Sequence, residues 1–339
     1  MKRLFERNKK FIVTLVCVMA IFIAAPFIFA TTVYRHVLIM IMVWTIFGIG
    51  WNFLGGYAGQ VSTGHAVYYA IGAYATAVGM YYWKLTPWVS MIGGMIISAV
   101  LAALIGGPLL RLKGHIFAVA TMAVAESARV IFLNAKPIGA ATGLTFAARD
   151  LPQWYTLQFT DKLPFYYLML GVVFLLILLT KLVDRSKFGY YLRAIKENEI
   201  SAQSVGINTA KYKLYAYILS AVVVSLGGSL YINYLQYVDP TMVLVLKVSL
   251  MICLVSVMGG TGTIWGPIVG AVVLTTISEL TKARLAATLT GFDQFLYGMM
   301  VVIIVLLLPN GILSIFTPQN RNKLANFFSK GGKKNGSKG

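Results

Sequence analysis

A short polar segment, GQVSTGH at residues 59–65, interrupts a chain that is otherwise strongly apolar. Its amide, hydroxyl and imidazole groups can form neutral hydrogen bonds to a small polar molecule. The three histidines of the chain are scattered and form no HExxH pattern. Neither a GxSxG nucleophile elbow nor a GxxxxGK[ST] phosphate loop occurs. The sequence therefore favours neither an enzyme nor a bound metal or cofactor, and any ATP hydrolysis is expected on another subunit.

A second glycine-rich segment, MGGTGTIWGPIVGA at residues 258–271, follows about two hundred residues later. Two glycine-interrupted apolar segments, one in each half of a chain, are typical of transporters whose broken helices line a site near the membrane midplane. The stretches 55–65 and 259–270 are predicted to approach each other near the translocation path. Two close helix crossings would give the same pattern, and the residues alone leave both interpretations open. The candidates for a translocation path or gate are Gly56, Gly59, Gln60, Ser62, Thr63, Gly64, His65, Gly259, Gly260, Thr261, Gly262, Thr263, Gly266 and Pro267.

The elements that must position these segments are membrane helices. Of the 339 residues, 58% are hydrophobic and 12% are charged, whereas soluble domains are about 45–50% apolar and about 25% charged. Long apolar runs predict an all-α polytopic helical bundle of about ten transmembrane helices, with eight to ten possible. The predicted spans are 11–30, 37–54, 64–83, 88–110, 115–134, 164–182, 212–232, 244–260, 266–281 and 292–309.

The distribution of lysine and arginine predicts the orientation of the chain. With the N-terminus inside, 20 of the 29 basic residues fall in inner segments and seven in outer ones, as the positive-inside rule requires. Both termini are therefore predicted to be cytoplasmic, and the net charge of +19 reflects topology rather than nucleic-acid binding. The predicted regions are a basic N-terminus at 1–10, a transmembrane domain at 11–317 and a disordered basic tail at 318–339.

Two opposite charges lie inside one predicted span. Glu126 and Arg129 are three residues apart and can pair on one face of a helix. An isolated charge at a helix centre costs about 2.5–3.5 kcal/mol on insertion scales, so a pair is expected. The sequence leaves open whether this intramembrane ion pair is structural or functional.

The longest inner loop, residues 184–213, has an amphipathic pattern. Phe188, Leu192, Ile195 and Ala202 fall on one stripe of a helical wheel, and Gly206 offers a helix stop. The pattern predicts one short cytoplasmic helix. It can lie on the lipid surface or fill a groove on a partner.

Four stretches together resemble the permeases of bacterial branched-chain amino-acid ABC transporters. They are GYAGQVSTGHA (56–66), ESARVIFLN (126–134), GYYLRAIKENEISAQSVGINTAKYKL (189–214) and MGGTGTIWGPIVGA (258–271). They occur in the family's order over roughly residues 45–310, and the length resembles the longer of two paired permease subunits. The external stretch IGAATGL (138–144) departs from the family's TGG pattern.

The resemblance implies an inner-membrane importer with a second homologous permease, two cytoplasmic ATP-binding subunits and an external substrate-binding protein. It implies leucine, isoleucine or valine as cargo, although permeases for urea and short amides resemble the same family. An ion-coupled secondary transporter is the alternative from another class, and it would usually carry more intramembrane acids. In the ATPase coupling loop, the residues implied by the resemblance are Arg193, Ile195, Glu197, Asn198, Glu199, Ala202 and Gly206.

Overall fold

A computed structural model describes residues 2–29, 31–146, 153–159, 161–285, 298–299, 302 and 311–316. Helices make up most of this part of the chain. The α-helices are α1 Lys2–Ile28, α2 Thr32–Trp51, α3 Ala66–Tyr81, α4 Pro87–Leu109, α5 His115–Asn134, α6 Gln153–Thr156, α7 Lys162–Arg185, α8 Lys187–Glu197, α9 Glu199–Ser204, α10 Thr209–Leu235, α11 Pro240–Val243, α12 Leu246–Gly259 and α13 Gly266–Leu285. The 3-10 helices are Lys136–Ile138, Ala140–Thr142 and Ile312–Phe316.

Seven helical segments of the described chain are long and apolar enough to cross a membrane, and Gly266–Thr281 is a shorter apolar helix. This confirms the predicted all-α polytopic membrane fold. Nine of the ten predicted spans coincide with helices. The tenth, 292–309, lies outside the described residues apart from three isolated positions, and the tail 318–339 lies outside them entirely. The total of ten spans and the orientation of the termini therefore stay predictions.

The centre of the bundle is formed by α2 and α10. Almost the whole of α2 is buried, and α10 packs against α2, α3 and α4. Small residues allow these close contacts. A Cβ at Gly72 of α3 would lie 2.0 Å from the carbonyl oxygen of Ser225 in α10, so a larger residue at position 72 would push the two helices apart.

The C-terminal end of α2 continues into a π-helical turn, Asn52–Tyr57. The chain then leaves helical conformation until α3 begins at Ala66. Gln60 donates its backbone N–H to the Leu54 carbonyl at 3.2 Å, which folds this segment back along the π-helical turn. Irregular backbone in a membrane protein requires internal partners of this kind.

The predicted external stretch 138–144 forms two short 3-10 turns and leads into a small hairpin. β1 (Leu144–Thr145) pairs antiparallel with β2 (Tyr237–Val238). The backbone at Gly139 and Gly143 has φ values of +88° and +73°, a conformation that favours glycine. This pairing ties the loop after α5 to the loop after α10.

Candidate functional site

The polar segment 59–65 contains a buried hydrogen-bonded cluster. His65 is fully buried; its Nδ1 lies 3.0 Å from Ser62 Oγ and its Nε2 lies 2.7 Å from Ser220 Oγ of α10. The Trp51 indole donates to the Ser62 carbonyl at 2.8 Å. Both imidazole nitrogens therefore have a partner within the chain. This favours an internal packing role for Ser62 and His65 over contact with cargo.

The same segment is fastened to α5. Thr63 donates its hydroxyl to the Ala118 carbonyl at 2.8 Å, and its backbone N–H donates to Thr121 Oγ1 at 3.1 Å. A Cβ at Gly64 would lie 2.2 Å from the Thr121 carbonyl oxygen. Glycine at position 64 is thus required by the close approach of two backbones.

Replacing His65 with alanine is expected to reduce stability more than transport per folded molecule. The change removes the imidazole from two buried serine hydroxyls, of which Ser62 Oγ keeps only the Gly64 N–H at 3.4 Å. An unsatisfied buried group costs about 1–3 kcal/mol, so the melting temperature should fall by about 5 °C. The exposed His115 provides the control, His115→Ala. Thermal unfolding and uptake normalised to folded protein distinguish the roles. An H65A variant of normal stability that no longer transports would show instead that His65 contacts the cargo.

The second glycine-rich segment forms a tight turn between α12 and α13. Thr263 donates its hydroxyl to the Gly260 carbonyl at 2.8 Å and accepts the Gly266 backbone N–H at 3.0 Å. A Cβ at Gly259 would lie 1.8 Å from the Gly266 carbonyl oxygen. These contacts fix the turn and allow α12 and α13 to pack closely.

Asn52, which the sequence analysis did not single out, joins the two glycine-rich segments. Its side chain is buried. Its Nδ2 donates to the Thr263 carbonyl at 2.9 Å, and its Oδ1 accepts the Gly262 backbone N–H at 2.8 Å. A Cβ at Gly56 would lie 2.5 Å from the Gly262 nitrogen. The structure thus brings together the segments predicted to approach each other, at a junction that we call the glycine junction (residues 52–59 and 259–266).

The predicted path candidates differ in their exposure. Eight of the candidates are buried: Gly56, Ser62, Gly64, His65, Gly259, Gly260, Gly266 and Pro267. The other six keep exposed surface: Gly59, Gln60, Thr63, Thr261, Gly262 and Thr263. The second set carries amide and hydroxyl groups only. It can form neutral hydrogen bonds without holding a charged group tightly.

Lys196 of α8 lies beside both halves of the glycine junction. A Cβ at Gly59 would lie 3.1 Å from Lys196 Cγ, and a Cβ at Gly262 would lie 3.3 Å from Lys196 Nζ. The junction therefore lies at the end of the bundle that carries α8. Helix α8 lies in the loop between α7 and α10, and the midplane position that the glycine pattern predicted stays a prediction.

The loop 184–213 contains two helices rather than the one predicted. Asn198 adopts an extended conformation (φ −157°, ψ 111°) that ends α8, and its side chain accepts the Ser201 backbone N–H at the start of α9. An asparagine side chain that caps a helix competes with continued helix at its own position. The predicted stop is confirmed, since Gly206 has φ +85°.

The inner face of α8 and α9 packs on the bundle, and the outer face is exposed. Leu192, Ile195 and Ala202 are buried, as the amphipathic stripe predicted. Ile200 and Val205 are 71% and 76% exposed. Both are large aliphatic side chains on the exposed side of this loop. We call the exposed surface of Ile200 and Val205 the outer loop face.

Ion pairs fix both ends of this loop. Arg193 Nη2 lies 2.9 Å from Asp184 Oδ1, and Lys213 Nζ lies 2.7 Å from Glu199 Oε1. Partial burial raises the pKa of the Glu199 carboxyl, but the hydrogen bond and charge of Lys213 outweigh it and hold that pKa below its ordinary value. This contribution to stability is present above the unfolded pKa and is lost as the pH falls through the folded pKa. Glu197 is exposed.

The predicted ion pair on α5 is confirmed. Arg129 Nη2 lies 2.6 Å from Glu126 Oε1, and the two side chains are 32% and 52% exposed on this chain. Both residues lie within a helix apolar enough to span the membrane. Charged groups in a span face protein or water rather than lipid. The Glu126–Arg129 pair is therefore expected to lie against protein or water.

No group of three His, Cys, Asp or Glu side chains in the described part of the chain is placed to hold a metal ion. Both cysteines are free, with Cys17 exposed and Cys253 buried.

The model of the family described as the permease component of branched-chain amino acid transport systems matches residues 33–305. The chain belongs to this family. The matched region includes the glycine junction, α5 and the loop with α8 and α9.

Curated relatives agree with this assignment. The chain is 28% identical over 309 residues to the high-affinity branched-chain amino acid transport system permease LivM of Salmonella typhimurium, covering 84% of this chain and 71% of the relative. It is 27% identical to LivM of Escherichia coli, covering 94% and 78%. The ribose import permease RbsC of Escherichia coli is 26% identical, covering 58% and 59%. No solved structure matches. The chain is thus similar to transport permeases rather than to enzymes.

Proposed function

We propose that this chain is one permease subunit of an ATP-dependent importer for leucine, isoleucine and valine. It would form half of the translocation path in a bacterial inner membrane, with both termini in the cytoplasm and ten spans within residues 11–317. Its partners would be a second homologous permease, two cytoplasmic ATP-binding subunits and an external binding protein. The printed names of the LivM relatives support the cargo class. The ribose permease relative shows that cargo differs among related permeases.

The observation that carries this proposal is the position of Lys196 beside both halves of the glycine junction. In the proposed mechanism, the ATP-binding subunits press on the outer loop face. The packed helices α8 and α9 transmit this movement to Gly59 and Gly262, and Asn52 moves the two segments together. The permease would alternate between a conformation open to the outside and one open to the cytoplasm. The ATPases shift this equilibrium if their ATP-bound and ATP-free states bind the two conformations with different affinity. The chain itself makes and breaks no covalent bond.

We place the second permease against the exposed face of α5, because the Glu126–Arg129 pair requires protein or water there. Arg129→Ala leaves one carboxylate unpaired, which is unfavourable within a span. We expect it to reduce co-purification of the second permease by about tenfold, equivalent to about 1.4 kcal/mol of association. The exchange Glu126→Arg with Arg129→Glu keeps the pair and should restore assembly. If the parent chain, the Arg129→Ala variant and the exchange variant all assemble equally well with the second permease, α5 does not contact that permease.

The cargo is tested by reconstituting the permease pair with its ATPases and its cognate binding protein. Uptake of radiolabelled leucine, isoleucine and valine that requires ATP and the binding protein is expected. Uptake of urea or a short amide in place of the amino acids would support the alternative cargo. Gradient-driven uptake by this chain alone, without ATP, would contradict the importer and favour a secondary transporter.

A further inference from the structure

Three helices meet at a group of titratable side chains, at the end of the bundle opposite the glycine junction. His36 of α2 lies between Tyr234 of α10 and Glu279 of α13. Along α2 and its π-helical turn, His36 is about 24 Å from Asn52, at about 1.5 Å per residue. We call His36, Tyr234 and Glu279 the His36 cluster. None of these three side chains has a part in the proposed coupling through α8.

The imidazole of His36 joins α10 and α13 to α2 by two different contacts. Its Nδ1 lies 2.7 Å from the Tyr234 hydroxyl oxygen, which is a hydrogen bond, and the two rings are stacked with centroids 5.6 Å apart. Its Nε2 lies 3.9 Å from Glu279 Oε2. That distance is too long for a hydrogen bond but short enough for attraction between opposite charges. The contact with α13 therefore depends on the charge of His36.

Protonation of His36 changes this second contact. The His36 side chain is 34% exposed and the Glu279 side chain is 16% exposed, so water can deliver a proton to the imidazole. In the protonated ring both nitrogens carry a hydrogen, and the ring presents a positive charge to the carboxylate. In the neutral ring only one nitrogen carries a hydrogen and the charge is gone. The attraction is thus present at low pH and is lost as the pH rises through the pKa of His36.

The groups around the cluster leave histidine as its sensor of pH. The other described charged or titratable side chains near it, from α2, from α10 and from α7 with its N-cap residue, are Arg35, Tyr231, Lys162 and Asp161. Arg35 Nη1 lies 3.5 Å from Asp161 Oδ1, so these two charges pair with each other. Arginine, lysine, aspartate and tyrosine ordinarily keep one charge state between about pH 5.5 and pH 8. Histidine ordinarily changes its charge in that range.

We propose that the His36 cluster is a proton-dependent latch between α2, α10 and α13. Protonated His36 attracts Glu279 and holds α13 at this end, and loss of the proton releases α13. The other end of the same helix pair is joined by the hydrogen bonds of Asn52, a side chain that does not titrate. A change of pH therefore loosens one end of the α2–α13 pair and leaves the other unchanged. That an opening at this end admits cargo rests on the proposed function, whereas the latch itself does not.

The test measures the distance between α2 and α13 beside the cluster. Val33 and Ile277 are 49% and 39% exposed, and both accept a spin label as cysteine variants after Cys17 and Cys253 have been replaced. Pulsed electron paramagnetic resonance is recorded on the full-length permease in nanodiscs at about pH 5.5 and about pH 8, a range in which histidine changes its charge. The fraction of molecules at a longer distance should rise severalfold at the higher pH.

Three variants separate the charge of His36 from its shape. His36→Gln removes the titratable charge, so the longer distance should be populated equally at both pH values. His36→Lys keeps a positive charge throughout this range and should keep the shorter distance at both. The control His115→Gln removes an exposed histidine elsewhere and should retain the pH response of the parent chain.

The outcomes that overturn the latch are specific. A parent chain whose distance does not change with pH would refute it, and so would a His36→Gln variant that responds to pH as the parent does. Glu279→Gln provides a second route if the His36 variants fold poorly, because it removes the other charge of the pair and should also abolish the response. The measurement needs no ATPase, binding protein or cargo, so failure of the importer proposal would not change its result.

Discussion

Asn52→Ala is expected to lower ATP-coupled uptake by roughly tenfold, the effect of about 1.4 kcal/mol. Asn52 is the side chain that hydrogen-bonds to the turn between α12 and α13, through the Gly262 N–H and the Thr263 carbonyl. Alanine removes both of these partly buried hydrogen bonds, and a hydrogen bond of this kind typically contributes about 0.5–1.5 kcal/mol. The two segments of the glycine junction would then move independently, so ATPase movement would not reach both. Uptake in proteoliposomes, normalised to assembled complex, measures the effect.

Asn233 provides the matched control for this variant. It is also a buried asparagine, but its Nδ2 donates only to the Ser229 carbonyl within the same helix. Asn233→Ala is therefore expected to change uptake much less. If the two alanine variants transport equally well, Asn52 does not couple the segments. Asn52→Asp keeps the acceptor for Gly262 and loses the donor to Thr263, so an intermediate rate is expected.

Ile200→Glu is expected to abolish transport while leaving insertion of the chain in the membrane unchanged. Ile200 is 71% exposed on the outer loop face, so the substitution disturbs nothing inside the bundle. A new carboxylate in an apolar interface would lose its hydration without gaining a partner, and this cost opposes docking. ATPase subunits should no longer co-purify with the permease.

The conservative variant Ile200→Leu separates docking from folding. It keeps an apolar side chain of the same volume, a class of change that proteins tolerate well. Uptake close to that of the parent protein is expected. Full transport by I200E, with normal amounts of ATPase in the complex, would refute a docking role for this surface.

Much of the bundle follows directly from the sequence. Apolar runs of the required length located nine of the helices in the described chain, because a helix satisfies its backbone groups internally in an apolar environment. The spacing of Glu126 and Arg129 was also enough to predict their ion pair, since residues three apart share a helix face. The close approach of the two glycine-rich segments was predicted for a related reason, because small residues allow backbones to meet.

The finer features depended on contacts between distant parts of the chain. Asn52 shows this, since its two partners lie about two hundred residues away. The available signal was one amide side chain within the apolar run before Gly55. The role of His65 likewise depended on Ser220, a residue of another helix. The division of the loop at Asn198 was missed because the apolar stripe continues through the break, while a local side-chain cap ends α8.

The most direct test of the account is a crosslink between the outer loop face and an ATPase subunit. Val205 is 76% exposed, and Val205→Cys can be introduced after Cys17 and Cys253 have been replaced. In the assembled complex, a bifunctional thiol reagent should join this cysteine to an ATPase subunit, with a yield that differs between the ATP-trapped and nucleotide-free states. An intact complex that forms no such adduct in either state would contradict the proposed coupling through α8 and α9.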